Sequence, residues 1–147
     1  MDLNAFFMEN VETELTDEVV ISKRFKDADG KLVPFKIQAI TSTRDTQIKK
    51  QCEKKELNKA TGQLMITTDY DEYLARLVTE CTVYPNFKSK ELQDSWGVLG
   101  ADQLINKMLL PGELTELSKQ IQRLNGFETI ESIKAEVKEP LTEETQA

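Results

Sequence analysis

Three groups of residues in this 147-residue chain could carry chemistry. Asp69, Asp71 and Glu72, with Glu80 further along, are its densest carboxylates, and two of them in one cleft could serve as general acid and base. Cys52 and Cys81 could supply thiolates. Asp27-Ala28-Asp29-Gly30 has the composition of a cation-binding turn. Each meets an objection. The carboxylates sit where a helix begins, and acids there cap the first turn and interact with the helix dipole. The cysteines stand 29 positions apart with no CxxC spacing, so no disulfide framework or all-thiolate zinc site is expected. If Gly30 were the invariant glycine of an EF-hand loop, the first ligand position would be Phe25 and the twelfth Lys36. Both are wrong, which leaves a turn.

The chain has no histidine. That removes Ser-His and Cys-His nucleophile pairs, His-containing zinc sites and the usual proton shuttle near neutral pH. There is no GxxxxGK[ST] phosphate loop, no GxGxxG after a strand and no GxSxG elbow. The expectation is a protein without catalytic residues, cofactor or metal, acting through its surfaces.

The elements that would position any site follow from periodicity. Leu3, Phe6 and Phe7 at i, i+3 and i+4, with Asp2 as cap, predict a short helix over residues 2–9. An acidic linker follows. Residues 19–40 predict a β-hairpin, in which VVISKRF and LVPFKIQAI flank the turn KDADGK. In its second arm Val33, Phe35, Ile37 and Ala39 alternate with polar positions, so one face is expected to be buried. Ser42 with Asp45 predicts a capped helix running to about Leu57, followed by a loop with a short strand at 64–67. Cys52, in a lysine-rich stretch, is expected to be partly exposed.

After Thr68, the residues Tyr70, Tyr73, Leu74, Leu77, Val78 and Cys81 form a full core-facing helical stripe. Cys81 therefore reads as a buried free thiol, and both tyrosines as packing residues. Pro85 ends this element, and Ser89 caps a two-turn helix, KELQDSW, that Gly97 stops. Leu104, Ile105, Met108 and Leu109 mark a further helix. Leu114, Leu117, Ile121 and Leu124 mark another, ending with Asn125 as C-cap and Gly126 at C′, and with Phe127 packing back on Ile121. Ile130, Ile133, Val137 and Leu141 could form one more. The fold class expected is α+β, mainly helical: a short N-terminal helix and an antiparallel hairpin packed on a bundle of about four to five helices. Residues 1–127 form the expected domain, with the hairpin at 19–40 and the helical part at 42–127. Residues 128–147 form an acidic extension, partly helical or disordered.

Charge is unevenly spread. Residues 1–20 carry six acids and no base, residues 21–60 eleven bases and five acids, and the remainder eight bases and fifteen acids, for a net −7. The basic segment 23–59 invites a nucleic-acid reading, but it lacks the interleaved aromatics of RNA-binding surfaces, and the chain is acidic overall. No apolar run approaches the roughly 18 residues of a membrane span, and the start lacks a basic n-region and a cleavage site. A cytoplasmic protein is expected.

Read in order, LNAFF, SKRF, the hairpin, LVTEC, YPNF, KELQDSWGVLGADQL, PGEL and LNGF resemble the XkdN-like tail assembly chaperones of tailed phages and prophages. The resemblance spans residues 3–127. It departs at Trp96, where the family commonly has tyrosine, and residues 54–67 lend it no support. The resemblance implies a non-enzymatic factor in the host bacterial cytoplasm, absent from the mature virion. Such a factor binds the tape measure protein and keeps it soluble until tail tube polymerisation. Tail tube protein and further copies of the chain are additional implied partners, and a longer frameshifted product is common in the family. Phe6, Phe7 and Trp96 are the candidate partner-binding residues; the competing reading places all three in the core. The competing functions are a small nucleic-acid-binding protein using 23–59, an enzyme built on Asp69, Asp71 and Glu72, and a minor structural tail protein.

Overall fold

The alternation from Val33 to Ala39 organises a three-stranded antiparallel sheet. The computed structural model describes residues 2–127, and in it β2 (Phe35–Gln38) buries Phe35 and Ile37 while Lys36 faces solvent. β2 is the middle strand, between β1 (Thr16–Val19) and β5 (Thr82–Tyr84). The hairpin is present, but its first arm is corrected. β1 lies inside the expected acidic linker and ends at Val19, where the expected strand begins, pairing Thr16 with Gln38 and Val19 with Phe35. Ser22 Oγ then accepts from the Arg24 backbone N–H at 3.0 Å, the kind of local bond that competes with a ladder. The chain bows out and rejoins at Phe25, whose carbonyl accepts from Val33 N–H at 2.9 Å. At the tip, Asp27 Oδ1 accepts from the backbone of Asp29 (2.9 Å) and Lys31 (3.0 Å), with Gly30 at φ +81°. The turn reading holds.

α1 (Ser42–Gln51) is capped by Thr41, whose hydroxyl accepts from Arg44 N–H at 3.2 Å, one residue before the expected cap. It stops at Gln51 rather than near Leu57. Glu53–Leu57 instead forms β3, paired with β4 (Leu64–Thr68) in a separate two-stranded ribbon. EKKEL has helical propensity, but the β-favouring LMITT and the Asn58-to-Gly62 turn outweigh it. Gly62, at φ +72°, donates to the Asn58 carbonyl at 2.7 Å. Cys52, between helix and ribbon, is buried rather than partly exposed. Its carbonyl receives Asp69 N–H at 2.8 Å, and burial raises its thiol pKa.

α2 (Tyr70–Cys81) is the central helix and packs on α1, on α4 (Ala101–Met108) and on α5 (Pro111–Leu124). Tyr73, Leu77, Val78 and Cys81 are buried as expected. Tyr70 is not: its ring stays exposed and lies 6.2 Å from the Tyr73 ring, because the stripe runs past the edge of the core. Burial and the hydrogen bond from Tyr73 Oη to Asp45 Oδ1 (2.6 Å) raise the Tyr73 pKa. β5 follows α2 at once, before Pro85, as the β-favouring run Thr-Val-Tyr permits.

α3 (Lys90–Trp96) starts at the Ser89 cap and ends at Gly97, whose φ of +68° suits glycine. α4 (Ala101–Met108) and α5 (Pro111–Leu124) bury their predicted apolar positions, with Leu114 and Leu124 packed partly exposed at the core's margin. α5 closes in a Schellman pattern: Phe127 N–H donates to the Gln122 carbonyl at 2.8 Å and Gly126 N–H to Arg123 at 3.1 Å. Phe127 itself stays exposed. One continuous core runs from Phe35 and Ile37 through Ile48, Leu77 and Leu104 to Ile121. The fold is α+β, with five α-helices and two small antiparallel sheets among the described residues. The helix expected around Ile130, Ile133, Val137 and Leu141 lies outside them, as does the 128–147 extension.

Candidate functional site

The N-terminal segment forms two single 3-10 turns, Asn4–Phe6 and Met8–Asn10, in place of the expected helix over 2–9. So short a helix is marginal in water, and its polar side chains bond locally instead. Asp2 Oδ1 accepts from Asn4 N–H at 2.8 Å, and Asn10 Nδ2 donates to the Asn4 carbonyl at 2.7 Å. Phe6 and Phe7 are consequently 77% and 44% exposed, with Leu3 and Met8 open beside them. Six acids share this end of the chain, and none has an ion partner among the described residues.

Trp96 sits differently. It is the last residue of α3, half-buried against the core, and its carbonyl accepts from Lys107 Nζ at 2.6 Å. The structure thus gathers Phe6 and Phe7 into one exposed apolar strip and draws Trp96 onto the margin of the core.

Three of the four carboxylates are held in a cap or an ion pair, and Asp71 is exposed with no ion partner among the described residues. Asp69 caps α2 by accepting from Glu72 N–H at 3.2 Å, and Glu72 pairs with Arg76 at 3.0 Å. Glu80 takes Arg44 at 3.0 Å and Lys88 at 3.8 Å. The Arg44 hydrogen bond holds the Glu80 carboxyl below its ordinary pKa. Glu72, Arg76, Glu80, Arg44 and Lys88 line a cleft of about 520 Å³ together with Asp71 and Asp102. A carboxylate bound to a guanidinium is poorly placed to move protons. Four of the eleven bases of the basic segment, Arg24, Arg44, Lys49 and Lys54, are in ion pairs, distributed over the hairpin, α1 and the ribbon.

What the sequence reading missed is that its short motifs meet. Arg24 of SKRF forms a two-point contact with Glu113 of PGEL, Nε to Oε2 at 2.9 Å and Nη2 to Oε1, and Nη2 also donates to the Met108 carbonyl at 2.8 Å. Glu113 Oε1 also accepts from Leu110 N–H at 2.7 Å, capping α5. Its place three residues into that helix was the one local signal available. Gln93 of KELQDSW donates to the carbonyl of Phe87 in YPNF at 2.8 Å. Asn125 of LNGF accepts from Ile40 N–H and donates to the Ile121 carbonyl, both at 2.8 Å, and its Nδ2 lies 3.7 Å from Cys81 Sγ. Burial raises that thiol to a pKa of about 11. Asn125→Ala would strand the Ile40 N–H and should cost about 1–2 kcal/mol, read as a lower urea midpoint with an unchanged slope.

Comparison with known proteins gives one answer. The family model described as phage XkdN-like tail assembly chaperone protein matches residues 3–138. An uncharacterized protein YqbN of Bacillus subtilis (strain 168) is 34% identical over 126 residues, 84% of each chain. The phage-like element PBSX protein XkdN of the same organism is 30% identical over 137 residues, 91% of this chain and 92% of that one. A crystal structure of the protein YqbN superposes with a TM-score of 0.71 at 31% identity, covering 87% of this chain and 98% of that one.

Proposed function

Because the chain belongs to the family of phage XkdN-like tail assembly chaperones, we propose that it binds the tape measure protein and keeps it soluble until tail tube subunits polymerise around it. The family's role is a chaperone's rather than a catalyst's. The observation that carries the finer reading is the exposed strip of Leu3, Phe6, Phe7 and Met8, apolar side chains left open on an acidic segment. A long helical client needs such patches to shield its apolar stripe. Copies bound side by side hold through avidity, so each can bind weakly enough for tube protein to displace it. Trp96 contributes an aromatic edge at the margin of the core. The protein acts in the host bacterial cytoplasm and stays out of the finished particle.

Co-expression with the cognate tape measure protein tests this. The wild-type chain should keep the client in the soluble fraction, and Phe6→Ala/Phe7→Ala should send most of it to the pellet while purified particles contain none of the chain. Unchanged client solubility in the double variant would remove both phenylalanines from the account.

A further inference from the structure

A groove of about 700 Å³ opens between the tip half of the first hairpin and α3. Phe35 and Met108, both buried, form its floor. The hairpin side supplies Phe25 and Val33, and the α3 side supplies Leu92 and Ser95. Pro85 and the exposed Tyr84 complete the apolar part of the lining, and Arg24, Asn86 and Ser89 add polar groups to it. SKRF, YPNF and KELQDSW therefore converge on one concave surface, in addition to the bonds that lock them into the fold. At the rim, Lys26 stands on the hairpin and Glu91 on α3. Both are exposed, and neither has an ion partner among the described residues.

We propose that this groove receives the apolar stripe of an amphipathic α-helix of the tape measure protein, with an acid of that helix on Lys26 and a base on Glu91. The proposal rests on the chaperone reading and adds a second client-holding face, distinct from the Phe6 and Phe7 segment. The walls fit a helix better than an extended peptide. A helix brings its backbone hydrogen bonds already satisfied, whereas the neighbouring sheet edge, β5, offers only three residues for strand addition. A mainly apolar channel with opposite charges on its two rims complements a helix whose apolar stripe is flanked by opposite charges.

The test uses the full chain co-expressed with the cognate tape measure protein. A photo-crosslinking p-benzoyl-phenylalanine at Ser95 should join the chain to the client; crosslinks confined to residues 128–147 or to a second copy would overturn the proposal. Ser95→Arg, on the exposed face of α3, should leave the melting temperature unchanged and lower client recovery about tenfold, the scale of one lost anchoring contact. The Lys26→Glu/Glu91→Lys swap should lower recovery as well, without touching the groove floor. Full recovery with both variants would sink the groove while leaving the chaperone reading intact. A wild-type chain that recovers no client would sink both.

Discussion

Phe87→Ala should lower folding stability by about 3–5 kcal/mol, the range for removing a fully buried aromatic ring. Phe87 has no exposed surface. Its ring centroid lies 6.4 Å from that of Phe35 with the planes tilted by 52°, a favourable aromatic geometry. Phe35 in turn lies 5.5 Å from Phe25, so three rings link the hairpin to the segment before α3. The Phe87 carbonyl also accepts the Gln93 side chain, which ties α3 to the same point. Truncation leaves a cavity where sheet, β5 exit and α3 meet, and backbone held on three sides has little room to collapse into it. A domain with a typical stability of about 5–15 kcal/mol would be left marginal. Urea unfolding followed by circular dichroism should show a much lower midpoint at constant slope, with Phe87→Leu recovering part of the loss. A shift below about 1 kcal/mol would mean that the ring is not packed as described.

Glu113→Gln should cost about 2 kcal/mol at pH 7, and the cost should vanish in acid. The Arg24 hydrogen bond is the main reason the Glu113 carboxyl is held down at about 2, from an ordinary 4.5; the Ser22 and Leu110 contacts add to it, and burial works against it. A depressed carboxyl contributes stability that is fully present above its unfolded pKa, and that is lost as pH falls toward the folded value. The wild type should therefore lose this contribution between about pH 5 and pH 2, whereas the glutamine variant should show a flatter profile over that window. The full shift would correspond to about 3 kcal/mol. The Arg24 side chain is 41% exposed, so solvent screening reduces that to the smaller figure. Urea midpoints at pH 7, 4 and 3 for both proteins check the prediction, and parallel profiles would refute it.

These two residues show where sequence reasoning reaches its limit. Ser89 and Gly97 around α3, Asn125 and Gly126 after α5, and the apolar positions of α2, α4 and α5 were all legible, because caps and helical stripes depend on residues three or four apart. The alternation in β2 was legible for the same kind of reason. For EKKEL the local preference was helical and the outcome was a strand, because the deciding partner, LMITT, lies across a turn. Burial of Cys52 followed from that same switch. β1 was misplaced because Asp17 and Glu18 mask the β-favouring Thr16 and Val19 within an acidic run, and pairing with β2 recruits the segment.

The candidate site divides along the same line. Phe6 and Phe7 were visible as an apolar cluster too small to stand alone, and their exposure in 3-10 turns agrees with that. Trp96 was visible only as a lone aromatic, and whether it faced a partner or the core was decided by how α3 settles on α4.

By itself, then, the sequence determined the family, through ordered motifs; the helix limits, through caps and stripes; and the absence of histidine chemistry. The tertiary structure alone decided that Arg24 finds Glu113 across 89 residues, that β5 closes the sheet, and that SKRF, YPNF and KELQDSW share a groove. The physical reason is range. Caps and periodicity are short-range energies written in neighbouring residues, whereas a salt bridge or a groove wall is chosen by whichever distant segment the packed core brings within contact distance.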